Sequence, residues 1–447
     1  MKIMKERGGL FFPSRFVHLD KVKGTVIRMK IKRIFNFSIT VLIIFIALPL
    51  LSGCCCIFGD FFDSNLTEAD KESDKVAKSV DPDLVNINTG FALDLFTGLS
   101  EIDENSNVFI SPLSISLMMA MAYNGAQNQT RNEIAGALQF DKFTDEQLNS
   151  AFDTLLASME NVDGMVELYT GNSIWLRNDN KADEVFTNII KDYYNASIHN
   201  EDFNSPDTAG KINKWASDET NGRISNITSP GEIKDSVLYL LSTIYFKGQW
   251  KDKFNPEYTE EKDFFLKDKS IKKVQMMQTT EDYEYFDGDN FKMLRIPYGR
   301  AKICMHIILP DEGTDINQII SNLDTGLINQ SIENYQNVEV SLEFPKFDIE
   351  YQSGDLGKLL KKLGIKDAFI EGSADFNKIS GQLFISRIDH KAIIEVNEEG
   401  TVAAAAGGFQ GLMAEIPKEF IVNRPFILLI RDDRTQSIFF AGKILEP

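Results

Sequence analysis

The stretch Glu398-Glu399-Gly400-Thr401-Val402-Ala403-Ala404-Ala405-Ala406-Gly407-Gly408 constrains the fold of this chain more than any other. Just before it, Ile388, Ala392, Ile394 and Val396 alternate with Arg387, Asp389, Lys391, Glu395 and Asn397, the period of a half-buried strand. The side chains then shrink to Thr, Val, Ala and Gly. Such a run holds no core in place and anchors no turn. It fits, extended, into a narrow slot between other strands, where bulky or charged residues would jam. Gly400 reaches backbone angles that other residues avoid and can act as a pivot. Laid as a strand, alternate residues share a face. Thr401, Ala403, Ala405 and Gly407 would then point inward together, all small and uncharged.

Downstream, Phe409 to Lys418 reads as an exposed segment, and Phe420-Ile421-Val422-Asn423-Arg424-Pro425-Phe426-Ile427-Leu428-Leu429-Ile430 as a strongly apolar terminal region. This order resembles the hinge, reactive-centre loop and closing signature of the serpins, inhibitors that trap serine proteases and some cysteine proteases. The resemblance runs from Asn86 to Pro447. It implies an α+β fold with a large central five-stranded mixed sheet, further β-sheets, eight or nine helices and an exposed reactive-centre loop. It also implies one domain over 86–447.

Other segments carry the same resemblance. Ser111-Pro112-Leu113-Ser114-Ile115-Ser116-Leu117 opens a helix with Ser111 as cap and proline in its first turn. Leu113 to Ala122 is apolar on nearly all sides, so this helix should be buried, ending at Asn124-Gly125. Thr130 and Glu133 make a capping box for the next helix. Ile212-Asn213-Lys214-Trp215 and Thr220-Asn221-Gly222-Arg223-Ile224 resemble the serpin helix that crosses the main sheet, with Asn221-Gly222 as a left-handed stop. Leu238 to Phe246 is a long apolar strand, and Phe246-Lys247-Gly248-Gln249-Trp250 is a family landmark. Val338 to Tyr351 alternates around Pro345-Lys346. The resemblance places control of sheet opening on Ser111, Ser114, Ser242, His390, Lys346 and Trp250. Many serpins carry asparagine where this chain has Ser242, which weakens the expected hydrogen-bond network. Glu398, at the base of the hinge, should pair with Lys346.

The family sets the hinge glycine as the fifteenth residue counted back from the cut, and from Gly400 that count ends on Ala414. The implied reactive bond is Ala414-Glu415, flanked by Leu412, Met413, Ile416 and Pro417. Alanine there suits the shallow pocket of an elastase-like or subtilisin-like protease and not a trypsin-like one. The implied mechanism is a suicide trap, with Glu398 to Ala406 as the hinge that leads the cut loop into the sheet. A cysteine protease is a further partner class. The rival reading is a non-inhibitory surface binding protein that keeps the fold without the trap.

Upstream, Lys30, Lys32 and Arg33 precede the apolar stretch Ile34 to Leu50, and Leu51-Ser52-Gly53-Cys54 resembles a lipobox. The expected layout is an N-terminal extension and lipoprotein signal peptide over 1–53, a flexible tether over 54–85, and lipid attachment at Cys54. An uncleaved transmembrane anchor is the alternative. Either places the domain outside the cytoplasm, at a cell surface or in a periplasm. Phe61 to Asp83, rich in Asp, Glu, Ser and Lys, reads as a solvated tether.

A formal net charge of -19 and a pI near 4.8 argue against nucleic acid or an anionic lipid surface as partner. Cys304, in the run Ile303 to Leu309, reads as a small buried hydrophobe. His18, His199, His306 and His390 show no metal-ligand spacing. No G-x-S-x-G elbow or phosphate loop occurs, and Asp324-Thr325-Gly326 matches the aspartic-protease tripeptide with nothing around it to support catalysis. The expectation is a monomer with no cofactor and no enzymatic chemistry of its own.

Overall fold

With apolar residues on all sides, Leu113 to Ala122 has no face suited to water, and it forms the helix Pro112–Gly125, buried along its whole length. The Ser111 hydroxyl caps it, accepting from the Ser114 amide at 3.3 Å. In the computed structural model, which describes residues 68–160, 162–354, 356–399 and 416–447, two sheets enclose this helix. The signal-peptide and lipobox readings, Gly400 to Ala406, Leu412, Met413, Ala414 and Glu415 lie outside the described residues.

In chain order the strands are β1 (Val108–Ile110), β2 (Val166–Arg177), β3 (Ser197–Glu201), β4 (Leu238–Gly248), β5 (Glu260–Phe265), β6 (Ile271–Asp287) and β7 (Phe291–Pro297). They continue with β8 (Ile303–Pro310), β9 (Gln336–Pro345), β10 (Phe347–Gln352), β11 (Ile385–Val396), β12 (Lys418–Ile421), β13 (Phe426–Asp432) and β14 (Ser437–Ile444). One sheet has nine strands in the order β1-β14-β13-β8-β7-β6-β9-β12, with β5 on β6 beside that path. The other is the expected five-stranded mixed sheet, ordered β10-β11-β4-β2-β3. Within it β10–β11 and β4–β2 are antiparallel, while β11–β4 and β2–β3 are parallel.

Period-two alternation divides the five-stranded sheet between two cores. Leu238, Leu240, Ile244 and Phe246 of β4 face the main core, with the buried helix beneath. Tyr239 and Leu241 face a second core closed by the helix Pro206–Glu219 through Ile212, Trp215 and Ala216. Asn221 and Gly222 take the left-handed conformation expected of a helix stop, at φ 51° and 82°.

The structure corrects four expectations. The Thr130–Glu133 capping box does not form. Instead Thr130 Oγ1 accepts from the Asp375 amide, and Glu133 accepts from the Lys366 and Asp367 amides at 2.7 Å. The polar residues Asp389 and Lys391 are buried, not solvated, because the second core covers their face. Within the segment read as a solvated tether, Glu68–Ala77 is a helix with Asp70, Ser73 and Ala77 buried. Eleven α-helices occur among the described residues against the expected eight or nine, the surplus including that helix and the single turn Pro230–Ile233.

Candidate functional site

The site is the seam between β4 and β11, two parallel neighbours with no covalent connection nearby. Their register runs from Ile385 opposite Leu238 to Ile394 opposite Phe246. A strand placed between two parallel strands can run antiparallel to both and complete both ladders. β11 leads directly to Asn397, Glu398 and Glu399, so a chain reversing there would run in that direction. The seam is closed in this structure.

At its end the seam is stapled by side chains from several elements. The Trp250 indole donates to the Asn397 carbonyl at 2.8 Å and stacks on Tyr298 with ring centroids 4.4 Å apart. Gly248 is required there, because any Cβ would overlap the Tyr298 ring. The Glu398 carboxylate accepts from Lys346 Nζ and from Thr259 Oγ1, both at 2.9 Å. Burial works to raise the Glu398 pKa, but the bonds from Lys346 and Thr259 hold it below its ordinary value. Lys346 sits between β9 and β10, at the break that Pro345 imposes on the alternating run. Glu399 lies 3.7 Å from Lys247 at the end of β4, so the two hinge acids reach cations on opposite sides of the seam.

Midway along, the inner stripe of apolar residues is interrupted by a polar row. Asn172 on β2, Ser242 on β4 and His390 on β11 are register partners across three strands. His390 Nε2 accepts from the Ser111 amide at 2.9 Å. Burial depresses the His390 pKa to about 3, so the ring is neutral and its proton sits on Nδ1. That Nδ1, the Ser242 hydroxyl and the Asn172 side-chain oxygen have no hydrogen-bond partner among the described residues. The asparagine-to-serine departure at Ser242 is where the row falls short.

Outside the seam lies a set of contacts that sequence reading missed. Asp389 accepts from the Tyr239 hydroxyl and Arg387 Nε, both at 2.6 Å. The linker after Pro206–Glu219 crosses the sheet. Arg223 donates to Glu395 at 3.0 Å, Lys391 Nζ to the Asn226 carbonyl at 2.5 Å and Gln352 to the Ile227 carbonyl at 2.8 Å. Only the odd burial demand on Lys391 would have betrayed it, and that needs the fold.

Past the hinge the chain returns at Ile416, which is 93% exposed, and Pro417, then enters β12 parallel to β9. Both flank residues thus stand at the surface edge of the nine-stranded sheet. Cys304 is fully buried, and burial pushes its thiol pKa well up. No helix among the described residues is long and apolar enough to cross a membrane.

Comparison with known proteins gives a consistent result. A family model described as serpin (serine protease inhibitor) matches residues 86–447. Leukocyte elastase inhibitor of Xenopus tropicalis is 36% identical over 373 residues, covering 80% of this chain and 98% of the relative. Among solved structures, the native state of the thermophilic serpin tengpin superposes with a TM-score of 0.75 at 33% identity, covering 83% of this chain and 95% of that one. Human thyroxine-binding globulin, solved with its hormone, matches with a TM-score of 0.74 at 28% identity, covering 82% of this chain and 98% of that one.

Proposed function

The chain belongs to the serpin family, and from that premise we propose that it inhibits serine proteases by suicide-substrate trapping. The protease attacks the Ala414-Glu415 bond and forms an acyl-enzyme. Before water releases it, the cut loop enters the β4/β11 seam, with Gly400 and Thr401 first, and becomes a sixth strand. The acylated protease is carried along and its catalytic site is distorted. The protease supplies the chemistry, and this chain supplies stored energy released as new ladder hydrogen bonds form. Persistence of the uninserted form is therefore kinetic.

One observation carries the reading: the closed parallel seam, with β11 leading straight into a hinge of small residues. Alanine at the bait position favours elastase-like or subtilisin-like targets, in keeping with the named relative. The lipobox at Cys54 adds export and lipid anchoring to the proposal.

The test mixes the chain from Ile57 onward with a pancreatic-type elastase and with a subtilisin. The expected result is a detergent-resistant covalent complex and, freed from the nine-stranded sheet on denaturation, a C-terminal peptide whose mass begins at Glu415. Clean cleavage by both enzymes with no complex would overturn trapping of this class, and a peptide starting elsewhere would overturn the assigned bond.

A further inference from the structure

The helix Glu68–Ala77 lies upstream of the residues that match the family, yet it is bound to the domain by charge. Asp70, Ser73 and Asp74 fall at helical spacings i, i+3 and i+4, so they share one face. That face meets three cations from two distant turns. Asp70 pairs with Arg300, and lies 3.6 Å from Lys302. Asp74 lies 2.9 Å from Lys302 and 3.4 Å from Arg434. Arg434 also donates to the Ser73 hydroxyl at 2.9 Å. The side chains of Asp70 and Lys302 are each 8% exposed and that of Arg434 13%, while Arg300 and Asp74 are 38% and 32% exposed, so the cluster is shielded at its centre and open at its rim. Losing its carboxylate partners would leave the buried Lys302 cation uncompensated, which costs more than breaking an exposed pair.

The socket that holds the helix joins parts of the fold that insertion treats differently. Arg300 and Lys302 belong to the β7–β8 turn and Arg434 to the β13–β14 turn, both in the nine-stranded sheet. Arg434 also donates to the Ser158 carbonyl at 3.0 Å, near the end of the helix Asp145–Met159. The Asp163 carboxylate, on the connector from that helix to β2, accepts from the Arg300 amide at 2.5 Å. β2 pairs with β4, so it belongs to the group β4-β2-β3 that must separate from β11 when the seam opens.

We propose that Glu68–Ala77 is a docked brace: its acidic face occupies the Arg300–Lys302–Arg434 socket and ties the connector of β2 to the nine-stranded sheet, which slows opening of the β4/β11 seam. The inference rests on the insertion reading above. It gives the segment between the domain and the proposed anchor a function beyond spacing, since release of this helix would shorten the lifetime of the uninserted form.

The test is the double substitution Asp70→Asn and Asp74→Asn in the whole chain, near-isosteric and charge-removing, beside Glu72→Gln on the opposite, exposed face as control. Hydrogen exchange of residues 68–80 reads docking. The rate at which uncleaved protein loses trapping capacity on incubation reads the seam. The brace requires faster exchange in the double variant and loss of capacity accelerated about tenfold or more, with the control unchanged. Unchanged exchange would overturn the electrostatic docking. Faster exchange with an unchanged rate of loss would overturn the brace. If wild-type protein with a cleaved loop gains no thermal stability, insertion itself fails and the brace with it, and the heating assay tells that failure apart.

Discussion

The hinge end and the middle of one seam differ in how they are held. Where the hinge leaves β11, Trp250, Lys346, Thr259 and Lys247 each reach across to Asn397, Glu398 or Glu399. Midway, at Ser242 and His390, the strands are joined by their backbone ladder, while Nδ1 of His390 and Oγ of Ser242 find no partner among the described residues. Under the proposed insertion, the contrast locates the barrier. An entering loop must first undo the staples, and beyond them it meets polar atoms that a new strand can satisfy. A closed sheet built this way resists opening at one point and gains along the rest.

The largest effect is expected from placing a charge on the first inward residue. Thr401→Arg should abolish trapping and leave cleavage intact, because a buried unpaired cation opposes entry; an undiminished yield of covalent complex would refute the inward assignment of Thr401. Next is Trp250→Ala, which removes a buried ring and the Asn397 staple together. Denaturant unfolding should show a loss of about 3–5 kcal/mol, and a loss under about 1 kcal/mol would mean that the staple end does not hold the fold.

Acid tests the middle of the seam. His390 has a folded pKa near 3 against an ordinary 6.5. Between those values the unfolded chain binds the extra proton, so stability present above about 6.5 is lost as pH falls toward about 3. Buried His306 is shifted in the same direction, so His390→Gln should flatten the profile only in part. An unaltered slope in that variant would show that His390 does not titrate with unfolding.

Smaller effects sharpen the contrast. Ser242→Asn extends a side chain toward His390 Nδ1, and one restored hydrogen bond should stabilise the closed form by about 1 kcal/mol, slowing loss of trapping capacity several-fold. If conversion accelerates instead, the unpaired row is not what limits the middle. Glu398→Gln weakens a partly exposed ion pair, expected to cost at most about 1 kcal/mol. A much larger loss by chemical denaturation would move the main latch from Trp250 to Glu398.

The parts of this site set by neighbours in sequence were readable without the structure. The buried helix announces itself by apolar residues on every side, Ser111 and Pro112 by their capping chemistry, and the hinge by its small side chains. The Glu398–Lys346 pair and the position of His390 followed from family resemblance and are present as expected. What escaped depends on partners far along the chain. Asp389 and Lys391 look like a solvated face until Tyr239, Asn226 and the second core cover them. Asp70 and Asp74 read as tether because the cations that bind them, at 300, 302 and 434, are more than half the chain away. Thr130 and Glu133 fit a local capping pattern, but the chain near Asp375 and Lys366 takes up both side chains.

The central claim is that the seam accepts its own loop. The direct measurement is to nick the reactive loop with a protease that is not trapped, then compare thermal unfolding of nicked and intact protein. Insertion adds a strand with hydrogen bonds on both edges, so the account predicts a rise in Tm of roughly 20 °C or more for the nicked form. An unchanged or lower Tm would show that the loop does not enter between β4 and β11, and would leave the chain a serpin by fold that works without the trap.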